Sequence, residues 1–263
     1  MATVNDILIF LETLAPRNMK MDWDNVGLLC GSRKTEVTRI LVALDPFEGV
    51  CREAKDFGAQ LIVTHHPLIF KALSAITDET SVGRSIHLLC REGISAINAH
   101  TNLDCAPGGV NDRLAASLGL ENIRVIDPMG VDENGQDWGL LRMGTVNEQS
   151  LSDFLPKVKA ALGCDGLRYV DGGKPVRKIA VGGGACASEI PDAVKAGCDT
   201  FVTSDVKYNQ FWDAYDLGIN LIDAGHFHTE NPVTVCLAET IAAAFPEVEV
   251  KISETHTDCV KFY

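Results

Sequence analysis

The segment Ala59-Gln60-Leu61-Ile62-Val63-Thr64-His65-His66-Pro67 places a pair of histidines directly after a run of apolar and β-branched residues. Such a run predicts a buried β-strand, and the proline ends its ladder of backbone hydrogen bonds. In an open α/β sheet, ligands bind outside the carboxyl ends of the strands. The segment therefore predicts an α/β fold together with a functional edge of the sheet.

Three further strand-like runs end in polar residues that can bind a metal or lie beside one. These runs precede His100-Thr101-Asn102-Leu103-Asp104, Ser204-Asp205-Val206-Lys207-Tyr208 and Ala224-Gly225-His226-Phe227-His228-Thr229-Glu230. Five of the seven histidines lie in these four segments. Histidine and carboxylate ligands suit zinc, iron and manganese, so the pattern predicts a metal centre.

The histidine pair and the segment after the second strand also have structural interpretations. Adjacent residues on an extended chain face opposite ways, so His65 and His66 are either one core and one exposed residue or ligands of two different metals. Asp104 either ligates a metal or shapes a turn. His100 either ligates a metal or supports a ligand from behind.

Glu230 follows His226 at a spacing of four residues, which places both on one helix face if the helix begins near His226. If the helix begins later, Glu230 lies in its first turn as a cap or a partner of the helix dipole. His228 is expected to point elsewhere. Three independent signals at one edge of the sheet favour metal binding, and five protein ligands leave positions open for water, as in catalytic sites.

Gly182-Gly183-Gly184 lies between a predicted strand and a predicted helix. Backbone N–H groups at such a position could bind an anion, but the segment matches neither a Walker loop nor a dinucleotide-binding motif. A tight turn is the favoured interpretation.

Composition restricts the function classes further. The chain has 263 residues, 46% of them hydrophobic and 22% charged, which is typical of a soluble protein with two domains. No apolar run reaches the roughly 18–20 residues that a bilayer span needs, and the first residues lack the features of a signal peptide, so a cytoplasmic location is expected. The net charge of −13 argues against direct nucleic-acid binding. The nine cysteines form no C-x-x-C pair and are expected to be reduced.

Strands alternate with helices along the chain, and the polar stretch 127–137 is the predicted linker between two domains. A helix is predicted to begin between Thr229 and Pro232 and to run to Ala244.

Six motifs occur in order along nearly the whole chain. They are Trp23-Asp24-Asn25-Val26-Gly27-Leu28, Thr64-His65-His66-Pro67-Leu68-Ile69-Phe70, Ala99-His100-Thr101-Asn102-Leu103-Asp104, Gly108-Gly109-Val110-Asn111-Asp112, Thr203-Ser204-Asp205-Val206-Lys207-Tyr208 and Gly225-His226-Phe227-His228-Thr229-Glu230. Together they resemble the Nif-three-like dinuclear metal-centre family, whose members are called GTP cyclohydrolase 1 type 2 homologues.

The resemblance implies an α/β fold, a three-layer sandwich with mostly parallel or mixed sheets in two α/β domains. Residues 1–126 and 233–263 would form the first domain, and residues 127–232 the second, inserted domain. It also implies a toroidal homohexamer, a trimer of dimers, that acts on a small molecule, possibly a nucleotide.

The resemblance further implies two divalent metal ions per subunit, which would be zinc, iron or manganese. The implied metal ligands are His65, His66, Asp104, His226 and Glu230, with Glu230 bridging both ions. Glu230 and His100 are the candidate catalytic residues. The implied walls of the substrate pocket are Thr203, Asp205 and Tyr208.

Departures from the family pattern spare the five ligands. Ser204 stands where glycine is common, Asn209 stands where histidine is frequent, Ala185-Cys186 replaces a pair of small residues, and Asp258-Cys259-Val260 alters the tail. These departures bear on the substrate pocket. The expected function is metal-dependent hydrolysis, in which a metal-bound hydroxide attacks a purine nucleotide such as GTP or a related compound. The alternative is a metal-loaded toroidal scaffold or regulatory interaction protein without turnover.

Overall fold

The computed structural model describes residues 1–263, and the chain divides into two compact units. Unit 1 comprises Met1–Leu103 and Thr234–Thr257, and unit 2 comprises Asp104–Val233 and Asp258–Tyr263. None of the helices is both long enough and apolar enough to cross a lipid bilayer.

Fifteen strands and ten α-helices follow one another along the chain. The strands are β1 (Ala2–Thr3), β2 (Gly27–Cys30), β3 (Glu36–Val37), β4 (Arg39–Ala43), β5 (Leu61–Thr64), β6 (Ser95–Asn98), β7 (Glu121–Ile126), β8 (Gly130–Val131), β9 (Asp137–Trp138), β10 (Leu141–Gln149), β11 (Arg168–Val170), β12 (Val176–Val181), β13 (Thr200–Thr203), β14 (Asn220–Asp223) and β15 (Glu249–Ile252). The helices are α1 (Val4–Leu14), α2 (Glu48–Phe57), α3 (Ser81–Glu92), α4 (Thr101–Cys105), α5 (Val110–Ser117), α6 (Leu151–Leu162), α7 (Ile190–Lys195), α8 (Tyr208–Leu217), α9 (His226–Glu230) and α10 (Pro232–Ala244).

Unit 1 is built on a five-stranded sheet with the order β15-β4-β5-β6-β2. Its first four strands are parallel, and β2 joins β6 antiparallel. Leu41, Ile62 and Ala96 belong to one core cluster with residues of α2 and α3. On the other face Ile97 lies beside Leu8 of α1. Both faces are covered by helices, which is why the central strands are apolar along their whole length.

Unit 2 is built on a six-stranded mixed sheet with the order β11-β14-β13-β12-β10-β7. The strands β12, β13 and β14 are parallel, and the others pair antiparallel. Ile179, Val202 and Ile222 pack with helices α5 and α6, whereas Phe201 and Leu221 pack with α7 and α8. Each unit therefore has helices on both faces of its sheet, and the predicted α/β class with parallel and mixed sheets is confirmed.

The predicted strands at the four polar ends are present as β5, β6, β13 and β14. One other local prediction is wrong. The stretch 127–137 is not a plain linker, because β8 pairs there with β9. Its polar residues build the hairpin turn, in which the Asp132 carboxylate accepts hydrogen bonds from the N–H groups of Asn134 and Gln136, both at 2.8 Å. The helix predicted to begin between Thr229 and Pro232 and to run to Ala244 is confirmed as α10, and the short helix α9 precedes it from His226.

The compact units divide the chain after residue 103, whereas the sequence placed the end of the first segment at residue 126. The difference arises because α5 and β7 pack in unit 2, where Val125 pairs with Arg142 of β10. It stays a prediction that residues 1–126 with 233–263 form one folding domain and residues 127–232 another.

Arg142 of β10 is a buried charge in unit 2, with only 1% of its surface exposed. Its guanidinium donates to both Asp112 carboxylate oxygens, at 2.9 and 3.1 Å. It also donates to the carbonyl oxygens of Gly139, Cys105 and Ala106. One side chain thus satisfies several acceptors of the segment that links α4, α5 and β10.

We expect Arg142→Met to lower the free energy of unfolding by about 3–5 kcal/mol, because removal of one partner leaves the other charge and the carbonyls buried without donors. Arg177→Met, at an exposed position of β12, removes the same charge and is the matched control. Urea denaturation followed by circular dichroism measures both variants. A loss below 1 kcal/mol in Arg142→Met would contradict this role.

Candidate metal centre

Unit 1 brings His65, His66 and His100 together. Their candidate ligand nitrogens all lie within 4.8 Å of one another, and the ring centroids are 4.8, 5.2 and 5.4 Å apart. The pair follows β5 and His100 follows β6, which are neighbouring parallel strands. Because β5 ends at Thr64, both adjacent histidines lie beyond the pleated strand. The alternation of side chains along a strand, which would place His65 and His66 on opposite faces, therefore does not apply. Both histidines form one cluster with His100.

Each ring of this cluster is oriented through its Nδ1 atom. The Nδ1 of His65 donates to the carbonyl oxygen of Ala99 at 2.9 Å, and the Nδ1 of His66 donates to Asp45 at 2.8 Å. The Nδ1 of His100 donates to Asp24, also at 2.8 Å. A carbonyl or carboxylate oxygen only accepts, so Nδ1 carries a proton in each ring and Nε2 is the nitrogen that could ligate a metal.

The two aspartates behind these rings are held in the charged form. Burial raises the pKa of Asp24, but hydrogen bonds from His100 and Thr101 outweigh it and hold the pKa well below its usual range. Burial likewise raises the pKa of Asp45, and hydrogen bonds from His256 and His66 lower it well below that range. A carboxylate behind an imidazole increases the basicity of the opposite nitrogen.

Sequence reasoning gave no role to Asp24, Asp45 or His256. A signal for Asp45 was present, because it lies two residues beyond the end of β4 just as His66 lies two residues beyond the end of the neighbouring strand β5. Asp24 belongs to a quoted motif, but its partner His100 is 76 residues away. Nothing in the local sequence marks His256.

Unit 2 brings Asp104, His226 and Glu230 together. His226 and Glu230 are the first and last residues of α9, and His226 Nε2 lies 3.0 Å from Glu230 Oε2. Carboxylate oxygens of Asp104 and Glu230 lie within 4.8 Å of each other, and both residues are buried. Asp205, predicted as a pocket wall, accepts a hydrogen bond from His226 Nδ1 at 2.8 Å. It orients this histidine as Asp45 orients His66.

A glycine turn makes room for the carboxylate of Glu230. Gly184 has φ of +63°, and a Cβ atom there would lie 2.1 Å from Glu230 Oε1 and 3.1 Å from His226 Nε2. The N–H of Gly183 donates to Asn111 at 2.7 Å, and the N–H of Gly184 donates to Thr229 at 3.0 Å. These N–H groups serve the fold itself, which agrees with the tight-turn interpretation of the glycine segment.

The segment after β13 supports the same turn. Ser204, which stands where the family commonly has glycine, is completely buried, and its hydroxyl donates to the Gly184 carbonyl at 2.6 Å. Thr203 donates to the same oxygen at 3.2 Å. Tyr208 is 79% exposed at the start of α8. His228 Nε2 lies 3.1 Å from an Asp258 carboxylate oxygen, and His228 belongs to none of the clusters that could hold a metal.

The donor atoms fit a borderline or hard divalent ion. Unit 1 offers three imidazoles, and unit 2 offers one imidazole with two buried carboxylates. Burial, together with the nearby charges of Asp104 and Glu230, raises the pKa of the Cys186 thiol well above its ordinary value, so this cysteine stays neutral. Nitrogen and oxygen donors without a thiolate suit zinc, iron or manganese. The histidine and glutamate clusters could therefore hold metal ions.

We expect Gly184→Ala to weaken metal binding because the added Cβ displaces the Glu230 carboxylate. Gly173→Ala is the matched control, since Gly173 has φ of +76° with no atom within 4 Å of an added Cβ. Both variants bear a backbone strain of about 1–2 kcal/mol. Calorimetric titration with Zn²⁺ should show weaker binding only in Gly184→Ala. Equal zinc affinity in the two variants would show that the turn does not support the site.

Comparison with known proteins assigns the family. The model described as Duf34/NIF3 (NGG1p interacting factor 3) matches residues 2–259. A Clostridium perfringens protein named GTP cyclohydrolase 1 type 2 homolog is 37% identical over 261 residues, covering 98% of this chain and 99% of that protein.

Solved structures agree with this assignment. The crystal structure of a Bacillus cereus protein related to NIF3 matches with a TM-score of 0.94 at 26% identity, covering 100% of this chain and 99% of that one. A Staphylococcus aureus hypothetical protein matches with a TM-score of 0.91 at 31% identity, covering 99% of each chain. From the family model and these relatives, the chain belongs to the Duf34/NIF3 family.

Proposed function

We propose that the two clusters together bind two divalent metal ions and that the protein is a metal-dependent hydrolase acting on a purine nucleotide or a related compound. The proposed ligands are His65, His66, Asp104, His226 and Glu230. The observation that carries the proposal is that three of these histidines and His100 each have Nδ1 held by a carbonyl or carboxylate oxygen, which makes Nε2 the nitrogen that would ligate a metal. Such orientation is the usual arrangement around metal-binding histidines.

The chain itself links the two clusters. Helix α4 begins directly after His100 and contains Asp104, so a ligand of unit 2 lies four residues from the unit 1 cluster. This short connection supports a shared centre. The name of the Clostridium perfringens relative supports GTP as the substrate.

Bound divalent ions would supply Lewis acidity and ready deprotonation of water at neutral pH. The protein's own residues would do the rest. Glu230 is buried beside His226. Its carboxylate would bind a metal ion, hold a proton, or do each in turn. His100 would move a proton at Nε2, because its Nδ1 is committed to Asp24. With GTP, one water would add at C8 and open the five-membered ring to a formamide, and a second water would hydrolyse that formamide to formate and an amine.

Two exposed aromatic rings beside His100 support a planar substrate. Trp23 is 63% exposed and Phe70 is 49% exposed, and their centroids are 5.8 Å apart with an interplanar angle of 69°. They lie 6.2 and 6.1 Å from the His100 ring. These contacts are T-shaped, and they leave most of the Trp23 surface exposed and accessible to a stacked base. Every nucleobase has a π-face that such a platform accepts.

A second candidate function is the metal-loaded scaffold, favoured by the outer face of α8. Tyr208, Trp212 and Tyr215 recur at helical spacing and are 79%, 53% and 59% exposed. Aromatic residues are enriched in protein interfaces. In the proposed homohexamer, this aromatic face would serve as a contact between subunits. A scaffold protein would form that assembly without turning over a substrate.

We expect the protein reconstituted with zinc, iron or manganese to release formate from GTP. Glu230→Gln should lower kcat/KM by about 100-fold or more, since it removes a proposed ligand and proton carrier. Glu239→Gln is the control, because it removes the same negative charge at an exposed position of α10. Formate release measures turnover, and light scattering of the same samples measures assembly. No formate with any of the three metals, with assembly intact, would exclude GTP hydrolysis and favour the scaffold.

We expect Trp23→Ala to weaken GTP binding by about 1–3 kcal/mol, the contribution of one base stacked on one aromatic ring. Trp212→Ala serves as control, because Trp212 is 53% exposed on α8 and contacts Tyr215. Calorimetric titrations with GTP and with inorganic triphosphate separate the base from the phosphates. Equal losses for both ligands would contradict stacking at Trp23.

A further inference from the structure

Asp45 lies between two imidazoles in unit 1. Its Oδ1 accepts a hydrogen bond from Nδ1 of His66, and its Oδ2 accepts one from Nε2 of His256, both at 2.8 Å. Asp45 and His256 are 211 residues apart in sequence. The side chains of both are largely shielded from solvent, with 19% and 5% of their surfaces exposed. The proposed metal ligand His66 is therefore followed by a carboxylate and then by a second histidine.

His256 is itself fixed from several sides. Its ring stacks on Phe47, with centroids 5.6 Å apart and an interplanar angle of 16°. Its backbone N–H donates to Ser253 Oγ at 3.2 Å. The segment that carries it is tied to α2, because the Glu53 carboxylate accepts hydrogen bonds from the N–H groups of Glu254 and Thr255, at 3.0 and 3.1 Å.

We propose that His256 is a positioning residue for the ligand His66 and that it acts through Asp45. The inference rests on the proposed metal-binding function. A carboxylate with one occupied oxygen can rotate, and its other oxygen can accept a different proton or a cation. With both oxygens accepting from imidazoles, the plane of Asp45 is fixed and the carboxylate is not available as a metal ligand.

The fixed plane of Asp45 determines the orientation of the His66 ring. A fixed Asp45 holds the proton on Nδ1 of His66 and keeps Nε2 aimed at the cluster of unit 1. Partners behind metal-binding histidines commonly change metal affinity by about 10–100-fold when they are removed. His256 is one hydrogen bond further away, so its removal should have a smaller effect than removal of the Asp45 carboxylate.

A double-mutant cycle tests the inference by calorimetric titration with Zn²⁺. Asp45→Asn should weaken zinc binding by about 10–100-fold. His256→Phe keeps a ring to stack on Phe47 and removes the hydrogen bond, so it should weaken zinc binding by a smaller factor. Because His256 acts through Asp45, adding His256→Phe to Asp45→Asn should cause no further loss. His256→Gln, which retains an N–H donor, should recover part of the affinity.

His87→Phe is the matched control, since His87 is exposed on α3 and belongs to neither cluster. Thermal unfolding of the metal-free variants measures any purely structural role. Wild-type zinc affinity in His256→Phe, or a loss that simply adds to that of Asp45→Asn, would overturn this inference alone. Failure of the wild-type protein to bind zinc, iron or manganese would overturn the proposed function and the inference together.

Discussion

The hydrogen bond from an imidazole Nδ1 to a fixed acceptor is the interaction on which both clusters depend. Without it, each ring could rotate or exchange tautomers, and the Nε2 atoms would not point together. The acceptors for His66, His100 and His226 are aspartates, and two of these are substantially buried. A buried carboxylate is unfavourable alone, so the hydrogen bonds that orient the rings also stabilise the charges that hold them. Each carboxylate and the ring that it orients therefore stabilise each other.

Unit 2 meets a steric constraint as well. The Glu230 carboxylate approaches the Gly184 backbone so closely that a Cβ atom at this position would displace it. Ser204 and Thr203 fix the carbonyl of the same glycine from the neighbouring strand end. A departure from the family pattern at Ser204 thus adds a hydrogen bond to the turn. The Ser204 side chain points at the backbone of this turn.

Much of the fold could be predicted because its central strands are apolar on both faces, as in β5 and β13. The candidate ligands could be predicted because polar residues follow those strands at one edge of each sheet. Other features leave weaker local signals. Four of the six residues of β7 are exposed, so this edge strand lacks an apolar run, and its place in unit 2 could not be inferred. The contact between Asp45 and His256 depends on β15 pairing with β4, which only the folded chain reveals.

The pairing of β15 with β4 also sets an order of events during synthesis. Residues 39–43 leave the ribosome long before residues 249–252, and domains generally form as their residues emerge. The chain between them contains nearly all of unit 2. Unit 2 can therefore acquire its sheet while unit 1 still lacks an edge strand and the histidine behind Asp45. The histidine pair of unit 1 is thus synthesised well before His256, and the hydrogen bond behind Asp45 can form only after residues 249–256 have emerged.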